Sequence, residues 1–332
     1  MTADLPPTPR RIAVVCLVVP LLVAFALWAF AWPAARLAPR DLPVGVAGPA
    51  AATAVVKEQL AQQKGAFEVH EYADGPAART AVEQREVYGA LVVGPQGPEL
   101  YTASAAGPVV AQLLQGASAH LGGGAAGAGG VQPKVTDVVP APAADPRGAV
   151  LGAGLLPLVL AGIASGALVT VLRLRGAAAI GSLLGAAALT GLVAVAVGHA
   201  WLGALSGNWA AEAGVFGLTA LAVGATAAGL AALIGTPGIG VTALLMVLVG
   251  NAFSGVTSAP ELLPGAARLI GAQLPPGAAG SALRSVAFFD GAAIGTPLLT
   301  LGLWAGLGLA VVGLVAARQR AAAPGVPVVA AA

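Results

Sequence analysis

Charge is what this sequence has least of. Only 9% of its 332 residues are Asp, Glu, Lys or Arg, against 58% hydrophobic, whereas a soluble domain is about a quarter charged. So few ions cannot build a water-facing surface over the whole chain, so most of it faces lipid. Cysteine is scarcer still. Cys16 stands alone, which excludes an internal disulfide and any cysteine-cluster metal site. The sequence has no G-x-x-x-x-G-K-[ST], H-E-x-x-H or G-x-S-x-G pattern, so a P-loop ATPase within this chain is excluded. No cofactor is expected, and no residue is expected to be catalytic. Basic residues are scattered or sit at helix ends, without the stripe that binds phosphate backbones, so nucleic acid is not an expected partner.

What the chain has instead is long uncharged runs. Residues 12–32, 149–172, 177–202, 213–234, 238–257 and 292–316 are each long enough to cross a hydrocarbon core, which takes about 20 residues as a helix. The expected fold class is therefore an α-helical polytopic membrane protein with six transmembrane helices. The first run continues through Trp28 and Trp32 without a small-x-small cleavage pattern and reads as a retained anchor rather than a signal peptide.

Orientation follows from arginine, because positively charged loops stay in the cytoplasm. With the N-terminus inside, the short inner pieces hold Arg10, Arg11, Arg173, Arg175, Arg318 and Arg320 against the acid Asp4, while Trp28, Trp32, Trp201 and Trp209 collect at the outer interface. Both termini are expected in the cytoplasm of a bacterial plasma membrane.

Between residues 36 and 147 the chain changes character. This stretch holds 8 of the 16 basic and 10 of the 14 acidic residues, and strand-like runs alternate with helix-like ones. Strands are expected at 42–46, 67–72, 90–93 and 99–102, helices at 50–64, 77–87 and 108–121, and a last strand at 134–139. The order βαβαββα describes an inserted extracytoplasmic α/β domain. Residues 122–130 are nearly all Gly and Ala and read as a loop. His70, Glu71 and His120 match no metal-ligand spacing, so a solvated surface is the better reading. The expected parts are thus 1–35 (N-terminus and first helix), 36–147 (the outer domain), 148–317 (five helices) and 318–332 (an inner tail).

The expected spans hold only His199, near an outer end, and Asn251 as notable polar residues, which argues against a carrier driven by protons or sodium. Glycines four apart, at Gly162 and Gly166, Gly181 and Gly185, and Gly302 and Gly306, suit close helix seams, but 47 glycines in the chain make chance the stronger explanation. At about 258–291 the sequence is too proline-rich to cross the membrane and too apolar for a free loop, so it lies at the outer surface or dips in and returns. Short helices are expected at 266–274 and 281–289, with Arg268 and Arg284 as polar faces.

Several stretches in this region, namely Asn251-Ala252-Phe253-Ser254-Gly255, Pro260-Glu261-Leu262-Leu263-Pro264, Leu274-Pro275-Pro276, and Ala282-Leu283-Arg284 ahead of Phe288-Phe289, resemble the type-2 class of ABC exporter permeases, in particular its phage-infection-protein-like branch. The resemblance implies six spans, an exported α/β domain after the first, and paired re-entrant helices forming an outer gate. Asn251, Pro260, Glu261, Pro264, Arg268, Pro275, Pro276 and Arg284 would belong to that gate. It also implies a separate ABC ATPase docking between the second and third spans, where the matching stretch is only about 173–179 and the contact residues would be Arg173 and Arg175. The permease would work as a homodimer, or as a heterodimer with a related chain, and move an amphipathic or lipid-like substrate. The alternative is a non-transporting scaffold whose outer domain binds an envelope partner.

Overall fold

The computed structural model describes residues 9–125 and 133–322. Asp4, most of the expected glycine loop, the end of the tail and the side chain of His120 lie outside the described residues. The described chain opens with helix α1 (Pro9–Ala34), then strand β1 (Leu42–Ala47), α2 (Ala50–Ala61), β2 (Phe67–Tyr72), α3 (Gly75–Glu83), β3 (Gly89–Gly94), β4 (Gly97–Thr102), α4 (Pro108–Ala125) and β5 (Lys134–Asp137). The remainder is helical: α5 (Ala149–Val171), α6 (Ala177–Val195), α7 (Trp209–Ile234), α8 (Pro237–Ala243), α9 (Gly265–Gln273), α10 (Pro275–Phe288) and α11 (Gly295–Ala322).

The strands form one mixed sheet in the order β2-β1-β3-β4-β5, in which only the β3–β4 pair is antiparallel. The central strands β1 and β3, LPVGVA and GALVVG, are apolar on both faces because both faces are covered. On one side Val44, Val46, Leu91 and Leu100 pack under Val56 and Leu60 of α2 and Val110 and Leu114 of α4. On the other, Ala47 and Ala90 meet Ala78, Ala81 and Val82 of α3. Asp74 starts α3 by accepting the Ala77 amide at 2.8 Å, as an N-cap aspartate does. The helix ends at Glu83, short of the expected 87, and Arg85 in a left-handed conformation (φ 60°) turns the chain toward β3. Helix α4 continues to Ala125, through Gly122, Gly123 and Gly124 of the expected glycine loop, against their low helix propensity.

Among the described residues five helices are long and apolar enough to cross a membrane: Arg11–Ala34, Ala149–Val171, Ala177–Trp201, Trp209–Ile234 and Gly295–Ala321. The remaining expected span, 238–257, is helical only over Pro237–Asn251, as seven residues of α-helix followed by eight in the wider π form; the Ser254-Gly255 turn stops it, with Gly255 at φ 64°. Helix α6 also ends in a π turn, Ala196–Trp201.

Helix α7 is the axis of the bundle. In its most apolar stretch 67% of residues are buried, against 6% for α1. Glycine explains how three neighbours reach it. A Cβ on Gly162 would stand 2.7 Å from Val223 Cβ, and one on Gly166 2.7 Å from Ala227 Cβ, so the α5 pair is a true seam. Gly181, Gly185, Gly302 and Gly306 have nothing within 4 Å, so they form no seam with another described helix of the chain. Helix α1 stands apart, held by Trp28 and Trp32, whose rings stack 5.5 Å apart and meet Phe253 edge-on.

Candidate functional site

Three places combine unusual chemistry with space. The first is the junction where the sheet sits on the segment between α8 and α11. The prolines set that segment's form. Pro260 opens a single 3-10 turn, Pro260–Leu262, and Pro264 caps α9. Pro275 and Pro276 occupy the first turn of α10, where a missing amide hydrogen costs nothing. The second short helix therefore starts at 275 and not at the expected 281. Asn251 ends the π stretch of α8 and accepts the Ser254 hydroxyl on its carbonyl at 2.8 Å, and Pro276 packs against Gly250.

The chain entering β1 runs alongside the Pro260 turn. Ala38 N donates to Leu262 O at 3.0 Å and Arg40 N to Glu261 O at 2.9 Å, while Arg40 Nη1 reaches Leu262 O at 2.8 Å and Arg268 Nη1 reaches Arg40 O at 3.0 Å. From the α3–β3 turn, Arg85 Nη1 donates to Ser281 O at 3.0 Å and to Ser285 Oγ, and its guanidinium lies 5.3 Å from the Phe289 ring centre, a cation–π distance. Tyr88 Oη donates to Glu261 Oε2 at 2.6 Å. Burial, and then the Glu261 charge, push the Tyr88 phenol well above its usual range, so the proton stays on the tyrosine. Burial likewise lowers the Arg85 guanidinium. Arg284 on α10 is only 6% exposed and donates through Nη2 to Val256 O. Arg85, Tyr88, Glu261 and Arg284 all line one recess of about 130 Å³.

The second place is a groove of about 660 Å³ between α5 and α6. Leu155, Leu158, Val193 and Val197 form its walls, with Phe216 of α7 and Leu283 of α10 behind them. At the end of α6, His199 Nδ1 and Glu212 Oε2 share a hydrogen at 2.8 Å, and Glu212 Oε1 accepts Gly207 N at 3.0 Å. Glu212 is fully buried. It stood one residue outside the expected span 213–234; because α7 starts at Trp209, it is a buried carboxylate of that helix. The expectation that His199 and Asn251 were the only notable polar groups is corrected accordingly.

The third place is the turn between α5 and α6. Arg173 and Arg175 are exposed there, Arg173 with a left-handed backbone (φ 54°). They border a hollow of about 210 Å³ that also touches Gln319 of α11. The five residues from Leu172 to Gly176 form no helix.

The structure thus gathers Pro260, Glu261 and Arg284 around one recess and places Arg268 beside it. Asn251 and Pro276 lie where the π stretch after α8 meets α10, and Arg173 and Arg175 are at the α5–α6 turn. Sequence reasoning missed Arg85, Tyr88 and Glu212. A left-handed arginine between a helix and a strand leaves no signal in a single sequence, whereas the Asn208 cap, which accepts the Ala210 and Ala211 amides, could have moved the start of α7 back past Glu212. Of the residues weighed for metal, His70 faces Glu68 at 3.5 Å and Glu71 pairs with Lys57; among the described residues no three His, Cys, Asp or Glu side chains converge.

These features define a class: a polytopic helical membrane protein carrying a small mixed sheet between its first two long helices. Comparison with protein-family models, curated proteins and solved structures found no match.

Proposed function

We propose that the chain is the membrane-spanning permease subunit of an ABC-type exporter, powered by a separate ATPase and acting on an amphipathic or lipid-like substrate. In this reading α8 and the turn after it count as a short sixth span. The sheet lies outside a bacterial plasma membrane and both termini lie in the cytoplasm. The protein works as a homodimer or with a related chain. The observation that carries the reading is the 660 Å³ groove between α5 and α6, within the range of ligand sites, about 300–1,000 Å³, and walled almost wholly by aliphatic side chains. The segment 258–291 forms the outer gate behind it, through Leu283.

The bare turn at Arg173 and Arg175 favours a second reading, an anchored scaffold whose sheet domain binds an envelope partner, because an ATPase would find no helix there to grip. Purification from native membranes in mild detergent, with mass spectrometry and an ATPase assay, separates the two. A stoichiometric P-loop ATPase, lost on the Arg173→Glu plus Arg175→Glu double substitution, is the expected result. Repeated crosslinked preparations holding envelope proteins and no ATPase would remove the permease reading.

A further inference from the structure

The recess at the junction holds more positive charge than its own contacts use. Arg85 and Arg284 both line it, and the carboxylate among its lining residues, Glu261, takes its side-chain hydrogen bond from Tyr88 rather than from either arginine. A guanidinium presents a fork of N–H donors and no acceptor. For Arg284, Nη2 is satisfied by Val256 O, while Nη1 and Nε have no hydrogen-bond partner among the described residues, although the residue is 94% buried. Arg85 uses Nη1 on Ser281 and Ser285 and leaves its other nitrogens without a partner among the same residues. Neither arginine is among the buried groups that lack a partner, so the nitrogens left over keep some access to solvent and can take an acceptor that enters the recess, whose roughly 130 Å³ exceeds the roughly 30 Å³ share of one water several-fold.

We infer that this recess is a binding site for a phosphate-type oxyanion, gripped by Arg284 and Arg85 and presented either by an acidic lipid headgroup or by free phosphate. The chemistry fits: guanidinium forks match phosphate oxygens two at a time, and in a recess partly shielded from water such contacts are about twice as strong as neutral ones. The placement fits a headgroup. Leu269 and Ile270 of α9 are exposed beside the junction and belong in lipid, whereas the sheet on the other side carries the charged surface that belongs in water. The Tyr88 hydroxyl and the Ser254 and Ser281 residues that also line the recess are neutral, so the opposing charge among its lining residues is Glu261. This site stands whether or not the chain is a permease.

The test uses the full chain in uncharged detergent, with thermal unfolding and native mass spectrometry as readouts. The probes are phosphatidylglycerol, phosphatidylcholine and inorganic phosphate. Phosphatidylglycerol is expected to bind and raise the melting temperature while phosphatidylcholine does not. Stabilisation by inorganic phosphate alone would identify the source as the free anion. Arg284→Gln and Arg85→Gln should each weaken binding about tenfold, the value of one charge-assisted hydrogen bond. Glu261→Gln keeps an acceptor for Tyr88, removes the opposing charge and should tighten binding severalfold. Arg79→Gln, on an exposed pair with Glu83, should leave binding unchanged. The inference fails if neither anion binds, if folded Arg284→Gln and Arg85→Gln bind like the parent, or if Arg79→Gln weakens binding as much as they do. Should the arginine variants not fold, an absence of tightening in Glu261→Gln overturns it.

Discussion

At the scale of single residues, space and partners decide which positions matter. A methyl group on Gly166 would meet the α7 backbone 2.9 Å away at Ala228 N, and backbone cannot swing aside as a flexible side chain can. Gly166→Ala is therefore expected to cost about 1–3 kcal/mol by overpacking. Gly181→Ala, with nothing within 4 Å, should be neutral or stabilise by up to about 1 kcal/mol through helix propensity. Thermal unfolding of the two variants in one detergent checks the contrast. Glu212 obeys the other rule. Truncation to alanine leaves Gly207 N without its acceptor and His199 without its partner, at a cost of about 1–3 kcal/mol for buried groups. Glu212→Gln can still accept from Gly207 and donate to His199, so it should lose clearly less. Equal losses for the two variants would mean that the charge itself, rather than the hydrogen bonds, holds the turn.

At the scale of elements, the weakest part of the sheet is its β5 edge. Strand β5 has four mostly exposed residues, and its side-chain ties to β4 converge on Glu99. Thr136 Oγ1 donates to Glu99 Oε1 at 2.7 Å, and Lys134 Nζ stands 3.2 Å from the same oxygen. The Thr136 hydrogen bond, and then Lys134, hold the Glu99 carboxyl below its ordinary value. A carboxyl whose folded value is depressed contributes stability that is complete above the unfolded value, about 4.3 for glutamate, and that is lost as pH falls through the folded one. Amide exchange in β5 should therefore accelerate on acidification below about pH 4, relative to the central strand β1. Thr136→Val, which raises the folded value toward the unfolded one, should make the acid effect smaller and complete it at higher pH; an unchanged profile would assign β5 pairing to its backbone alone.

At the scale of the whole molecule, the sheet and the helices share their packing. Ala259 and Leu262 complete the core under α2 and α4, and Phe289 completes the one under α3, so the sheet domain is not a bead on a linker. A shift of α9 and α10 would carry the sheet with it, which is the coupling that the proposed outer gate requires. The orientation on which this depends can be tested because Cys16 is the only native cysteine. In a Cys16→Ser background, Asp74→Cys is expected to react with a membrane-impermeant maleimide in intact cells, and Arg175→Cys only after permeabilisation. The reverse pattern would invert the topology and place the recess on the inner side.

Much of this architecture is written in one dimension. Hydrophobic runs of about 20 residues have few alternatives to crossing lipid, and short runs rich in Val and Leu bounded by Gly and Pro favour strands, so the long helices and the order of strands and helices at residues 42–102 follow from the chain alone. Proline likewise announces the breaks at 260, 264 and 275. What the linear pattern could not decide is which distant groups meet. Glycines four apart look alike at 162, 181 and 302, and only the docking of α5 on α7 makes the first pair a seam. Glu261 and Arg284 could be named from sequence, but Arg85 and Tyr88, separated from them by more than 170 positions, join them only because the sheet lands on the Pro260 turn. Local propensity and hydrophobic period act over a few residues and are therefore legible in the sequence. Burial and charge pairing depend on approach through space, and here tertiary packing alone brings two arginines, a tyrosine and a carboxylate around one recess.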